Sequence, residues 1–170
     1  MTARVSLILG GARSGKSARA LSLADGPQRL FVATAEALDD EMAARIAAHR
    51  AERGAEWALV EEPLELAPVL AAAPGDAVVV VDCLTLWLSN LMHHGRDPEA
   101  EGERLAVALG ETPARVILVS NEIGLGLVPA DALSRAFRDA QGRLNRRVAD
   151  AADHVEFVAA GLPLTLKGEP

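Results

Sequence analysis

The residues best suited to chemistry lie near the start of this 170-residue chain, where Gly10-Gly11-Ala12-Arg13-Ser14-Gly15-Lys16-Ser17 fits the pattern Gly-x-x-x-x-Gly-Lys-Ser. Glycines in such a loop let the backbone fold back until successive N–H groups point at one spot, and the positive end of a following helix adds to the same field. The product is a cradle for the phosphates of a nucleoside triphosphate. Lys16 is then placed to reach β and γ oxygens, and the Ser17 hydroxyl to ligate Mg²⁺. The lysine is informative in itself. The chain has fifteen arginines but only two lysines, Lys16 and Lys167, and it keeps lysine where a compact, flexible point charge suits the site better than a planar fork.

Two further groups could act with that loop. Asp82 closes a run of four valines, in a strand that a phosphate-loop fold brings beside the loop, where a carboxylate can hold Mg²⁺ directly or through its water. The alternative role for Asp82 is to cap the next helix. Met42, Ile46, His49 and Arg53 follow at spacings of four, three and four, which puts them on one stripe of a helix expected over 39–53. The carboxyl half of that stripe carries His49 and Arg53 beside Arg50. From spacing alone, His49 is either a half-buried surface residue or a nucleophile. His93 and His94 fall in a loop-like segment with no carboxylate or cysteine spacing of a zinc site, and Cys83 reads as a small apolar residue.

The elements needed to position these groups are legible around them. Arg4–Leu9 reads as a buried strand feeding the loop, and Ser17–Ala24 as the helix leaving it. Arg29–Ala33 is a strand that runs out into Thr34-Ala35-Glu36, and polar residues at the carboxyl end of a strand are where α/β folds put ligands. Trp57–Val60 is a third strand, followed by Glu61-Glu62-Pro63 and a helix from about Leu64 to Ala72. Ala77–Asp82 reads as a central strand covered on both faces. Helices are expected over Leu84–Met92, Glu99–Leu109 and Pro129–Ala151, the last with a stripe of Leu133, Phe137, Ala140, Leu144 and Val148. Arg115–Val119 ends in Ser120-Asn121-Glu122, another strand end on the ligand edge. The strands His154–Ala159 and Leu162–Lys167 are joined tightly through Gly161, so the last should run antiparallel.

The fold expected is therefore α/β: a P-loop NTPase-like (RecA-like) three-layer domain spanning residues 1–170, with a mostly parallel central sheet, helices on both faces and an antiparallel C-terminal edge strand. Half the residues are apolar but few are aromatic, so the core is built from Val, Leu, Ile and Ala. The net charge of −7 leaves no broad basic field and argues against nucleic acid as a partner. A single cysteine, no arginine-plus-apolar leader and no apolar run near the roughly 20 residues that span a bilayer point to a cytoplasmic protein. The Asn-Lys-x-Asp pattern by which ordinary GTPases read guanine is absent, so base preference is not legible from a motif.

Taken together, residues 10–17, Asp40-Glu41-Met42-Ala43-Ala44-Arg45-Ile46 leading to His49-Arg50, Glu61-Glu62-Pro63, Val81-Asp82-Cys83-Leu84-Thr85 and Ser120-Asn121-Glu122-Ile123-Gly124 resemble the bifunctional adenosylcobinamide kinase and adenosylcobinamide-phosphate guanylyltransferase of cobalamin synthesis. The likeness covers nearly the whole chain. One departure is Arg53-Gly54, where the family often reads Arg-Pro. The resemblance implies a transferase with corrinoid, GTP and ATP as substrates and Mg²⁺ as cofactor. It implies that His49 is the residue that becomes guanylylated and that Lys16 serves the transferring phosphoryl group. Nucleotide contacts are implied at the loop, at Thr34, Ala35 and Glu36, at Arg50, Arg53 and Glu62, and at Asp82. A homotrimer is the assembly it implies.

Overall fold

The computed structural model describes residues 3–36 and 56–169. In chain order these form β1 (Val5–Gly10), α1 (Lys16–Leu23), β2 (Gln28–Ala33), β3 (Trp57–Glu61), α2 (Leu66–Ala72), β4 (Ala77–Asp82), α3 (Leu84–His93), α4 (Pro98–Glu111), β5 (Arg115–Asn121), α5 (Ala132–Ala151), β6 (His154–Ala159) and β7 (Leu162–Lys167). The expected helix over 39–53, with His49, Arg50 and Arg53, lies outside the described residues.

The strands make one seven-stranded sheet in the order β3-β2-β4-β5-β1-β6-β7. Every pairing is parallel except β6 with β7. The chain therefore needs crossover helices, and these cover both faces. Alternate residues of the central strands divide between two cores. On one face Ile8, Val78, Val80, Ile117, Val119 and Val158 pack with Ala20 of α1 and with Ala24, which follows that helix. On the other, Val5, Leu7, Val79, Val81, Val116 and Leu118 pack with leucines of α2, α3, α4 and α5 and with Trp87. β1 is buried at every position, as a central strand between two helical layers requires.

Small residues set the α1 spacing. Ala20 is the buried residue of that helix and Ala24, its C-cap, is buried as well, so the helix packs closely on the sheet. The start of β1 is fixed by Asp153, whose Oδ2 accepts from the N–H groups of Arg4 at 3.1 Å and Val5 at 2.9 Å. At the far edge β7 is exposed throughout, consistent with the antiparallel closing strand expected from its tight link to β6.

Three details differ from the sequence reading. The strand bearing Asp82 is not the immediate neighbour of β1, because β5 inserts between β1 and β4. α5 starts at Ala132 rather than Pro129, since the Asp131 side chain accepts from the Ser134 N–H at 2.8 Å and sets the helix start there. Leu133 consequently stands 72% exposed, and the buried stripe of α5 begins further along. His93 belongs to α3 rather than to a loop, and its ring lies 5.3 Å from that of His94. Among the described residues no helix is long and apolar enough to cross a membrane.

Candidate active site

The loop 10–17 connects the carboxyl end of β1 to the amino end of α1, the strand–loop–helix order that phosphate binding needs. Its turn is closed by the Ser14 N–H donating to the Gly11 carbonyl at 3.3 Å. Arg13 and Gly15 both take positive φ, 54° and 94°; two left-handed residues so close together turn successive amides inward. Gly10 has no room for a side chain: a Cβ there would stand 2.5 Å from Ser14 Oγ and 2.6 Å from the Val158 carbonyl oxygen. The Ser14 carbonyl accepts from the Gly161 N–H at 2.8 Å, so the β6–β7 turn props the loop from outside.

α1 begins without a side-chain cap and without an acidic residue in its first turn. Its leading N–H groups and its dipole are thus left for an anion. Lys16 Nζ donates to the Gly11 carbonyl at 2.9 Å, folding the ammonium over the mouth of the loop. The Ser17 hydroxyl and the Asp82 carboxylate make no hydrogen bond or ion pair among the described residues. Asp82 does not cap α3: the cap position is Cys83, with no side-chain hydrogen bond.

Asp82 shares the α1 face of the sheet, as the alternation of β4 requires, since Val78 and Val80 belong to that core. Cys83 senses both charged candidates. Burial pushes its thiol up to about 11, the Asp82 carboxylate pushes in the same direction, and the Lys16 ammonium acts in the opposite one. Cys83 is therefore an inert apolar neighbour, as its sequence context indicates.

The carboxyl end of β2 supplies the next wall. Thr34 is fully buried. Its hydroxyl donates to the Cys83 carbonyl at 2.7 Å and accepts from the Cys83 N–H at 2.8 Å, while its own carbonyl accepts from Asn90 Nδ2 at 2.7 Å. Ala35 follows, half-buried. Glu36 meets His94 Nε2 at 3.1 Å, a contact the sequence does not announce because the two are distant in the chain. Glu62 accepts from the N–H groups of Leu64 at 2.9 Å and Glu65 at 2.8 Å through one oxygen, which closes the turn leading into α2 and keeps its carboxylate at the same edge.

Behind α1, Arg19 forms a two-point pair with Glu156, at 2.8 and 2.7 Å. Glu156 is almost wholly buried, and His154 Nε2 approaches it at 3.1 Å. The Arg19 hydrogen bonds hold the Glu156 carboxyl below its ordinary range against the opposing effect of burial, and His154 adds in the same direction as Arg19. Sequence reasoning missed this anchor of α1, since nothing local links position 19 to position 156.

Residues 6–166 match the model of the family described as cobinamide kinase / cobinamide phosphate guanyltransferase. The chain is 51% identical over 169 residues to the bifunctional adenosylcobalamin biosynthesis protein CobP of Pseudomonas aeruginosa, covering 96% of this chain and 98% of that protein. It is 43% identical to the bifunctional adenosylcobalamin biosynthesis protein CobU of Salmonella typhimurium, over 95% of this chain and 98% of the relative. The CobU protein of Escherichia coli is 40% identical, with the same coverage. A solved structure from Pyrococcus horikoshii OT3 superposes with a TM-score of 0.55 at 9% identity, covering all of this chain and 89% of that one, a likeness of fold.

Proposed function

The chain belongs to the cobinamide kinase / cobinamide phosphate guanyltransferase family, a family of transferases, and we propose that it works as one nucleotide-binding domain running two reactions on a corrinoid. In the first, the hydroxyl oxygen of adenosylcobinamide forms a bond to the γ-phosphorus of ATP or GTP while the bond from that phosphorus to the bridging oxygen breaks, and the nucleoside diphosphate leaves. Lys16 neutralises charge on the transferring group. In the second, neutral His49 attacks the α-phosphorus of GTP and pyrophosphate leaves. The phosphate of adenosylcobinamide phosphate then displaces the imidazole, giving adenosylcobinamide-GDP. Imidazole suits this exchange because it is nucleophilic when neutral and leaves readily once protonated.

The observation that carries the kinase half is the loop 10–17 itself, seated between β1 and α1 with Lys16 folded over its mouth. Its inward amides and uncapped helix form an anion site whose geometry suits a triphosphate. Support for the second half is the near full-length likeness to bifunctional relatives, together with the resemblance at His49. Mg²⁺ fits the residues at hand: Ser17 and Asp82 offer hard oxygen donors without protein partners among the described residues. Bound there, the ion would neutralise charge on the phosphate oxygens. Nucleotide contacts are assigned to the loop, Ala35, Glu36, Arg50, Arg53, Glu62 and Asp82; Thr34, expected among them, is fully buried with its hydroxyl committed to Cys83 and supports them instead. A homotrimer in the cytoplasm is the accompanying assembly and location.

The test is label position. With γ-labelled nucleotide and cobinamide, label should appear in the corrinoid; with α-labelled GTP and cobinamide phosphate, it should appear in a corrinoid nucleotide. A protein that binds nucleotide yet transfers neither label contradicts the assignment.

A further inference from the structure

A further polar group stands at the carboxyl end of β5, the strand that inserts between the loop strand and the Asp82 strand. β5 pairs with β1 so that Asn121 lies opposite Gly10, the first residue of the loop, and with β4 so that Val119 lies opposite Asp82. Neighbouring strands are about 4.8 Å apart. Asn121 therefore stands one strand from the loop and two residues nearer the ligand edge than the rung of Asp82.

Its face follows from alternation. Ile117 and Val119 pack in the core under α1, so Asn121, two residues on, belongs to that face as well. The intervening Ser120 turns the other way, where its hydroxyl donates to Asn145 Oδ1 at 2.6 Å. At the ends of β1, β5 and β4 the α1 face thus carries Gly10, Asn121 and Asp82 in order. Between the phosphate loop and the candidate metal carboxylate, Asn121 is the one polar side chain that these three strand ends supply.

The backbone of Asn121 is clamped while its side chain is not. Its N–H donates to Thr85 Oγ1 at 2.9 Å, and its carbonyl accepts from Asn145 Nδ2 at 3.0 Å. Asn145 is held in turn by Ser120 and by Gln141, whose Nε2 donates to Asn145 Oδ1 at 2.9 Å. The carboxamide, by contrast, makes no hydrogen bond among the described residues, and its Oδ1 is buried without a partner. Burying an amide without satisfying it is unfavourable, and an asparagine kept for folding alone would use its side chain on the protein. Rotation of the amide exchanges Oδ1 and Nδ2, so the position can present either a donor or an acceptor.

We propose that Asn121 is a further catalytic residue of the kinase step, its carboxamide Nδ2 donating to a γ-phosphoryl oxygen of the nucleotide seated in loop 10–17. The proposal rests on the kinase reading above. As the corrinoid hydroxyl oxygen bonds to phosphorus and the bond to the bridging oxygen breaks, the electron pair of the broken bond leaves with the nucleoside diphosphate and the hydroxyl proton passes to solvent. Asn121 transfers no proton. It opposes the charge on the equatorial oxygens from the side of the sheet, its backbone held in place by Thr85 and Asn145.

Steady-state kinetics of cobinamide phosphorylation in Asn121→Ala and Asn121→Asp test this. Loss of one oriented donor should lower kcat roughly 10²-fold, with the nucleotide KM changed less than about threefold, the pattern of an interaction made in the transition state. Asn121→Asp keeps the shape while replacing the donor by a charge, so its kcat should fall at least as far, and it carries the test if the alanine protein does not fold. Wild-type kcat in either folded variant would overturn the role of Asn121 and leave the kinase reading standing. A fall in thermal midpoint and nucleotide affinity in proportion to kcat would overturn it in favour of a structural role. Absence of corrinoid phosphorylation by the wild-type protein would instead sink the kinase reading itself.

Discussion

One hydroxyl, that of Thr34, grips Cys83 by both of its backbone groups, donating to the carbonyl at 2.7 Å and accepting from the N–H at 2.8 Å. Thr34 directly follows β2 and Cys83 directly follows Asp82 at the end of β4, so this grip fixes the place of the candidate metal carboxylate without touching it. Thr34→Val should cost about 1–3 kcal/mol, because it leaves a buried N–H and a buried carbonyl without their shared partner. It should also raise the Mg²⁺ concentration needed for half-maximal activity, as Asp82→Asn should do more strongly by removing the charge. Denaturant unfolding checks the first effect and a Mg²⁺ titration the second. An unchanged titration in Asp82→Asn would take the carboxylate out of metal binding.

Both proposed reactions need a triphosphate seated in the loop, where Lys16 is proposed to neutralise its charge. Lys16→Ala should therefore reduce kinase and guanylyltransferase rates alike, by about two to four orders of magnitude. Rate assays on a variant with an unaltered thermal midpoint separate this from misfolding. A folded alanine variant with near-normal rates would remove the loop lysine from the mechanism.

Gly10 offers a test of the loop by shape alone. The added Cβ of Gly10→Ala would stand 2.6 Å from a backbone oxygen of β6, which cannot swing away as a side chain can. The loop must shift, and nucleotide affinity should fall at least about tenfold, since misplaced amides lose several charge-assisted hydrogen bonds together. Calorimetric titration with a non-hydrolysable nucleotide reads the effect, and unchanged affinity would mean that the loop tolerates displacement.

Much of this was legible before the structure. The phosphate loop, the valine strand ending in Asp82 and the antiparallel last strand all follow from local pattern, because a buried strand and a glycine turn are written in consecutive residues. What sequence could not supply was adjacency between distant segments. The insertion of β5 between β1 and β4 is a choice of strand order, and no local period encodes it. The same is true of Arg19 with Glu156, of Glu36 with His94, and of the Ser120–Gln141–Asn145 cluster that sets Asn121. Leu133 shows the opposite failure: its spacing fits the α5 stripe, yet it sits beyond the point where that helix meets the core.

The Arg19–Glu156 pair ties stability to pH. Glu156 is held below its ordinary carboxyl range, chiefly by hydrogen bonds from Arg19. A depressed carboxylate contributes stability that is fully present above the unfolded value and is lost as pH falls through the folded one. Glu156→Gln should therefore be less stable than wild type at neutral pH by about 1.5–3 kcal/mol, and the gap should narrow in acid. Urea unfolding at neutral and acid pH measures it. A gap that stays constant with pH would mean that the pair contributes through packing rather than charge.

The central claim, that one chain both phosphorylates a corrinoid and carries GMP on His49, is tested most directly by α-labelled GTP. Incubated with GTP and Mg²⁺, the wild-type protein should take up label in a bond that is labile to acid and stable to alkali, as expected of a phosphoramidate whose imidazole leaves once protonated. Adding cobinamide phosphate should discharge that label into product, and His49→Ala should take up none while retaining part of its kinase activity. Label persisting in folded His49→Ala, or no label on the wild type while corrinoid phosphorylation continues, would contradict the account and leave a kinase without the histidyl step.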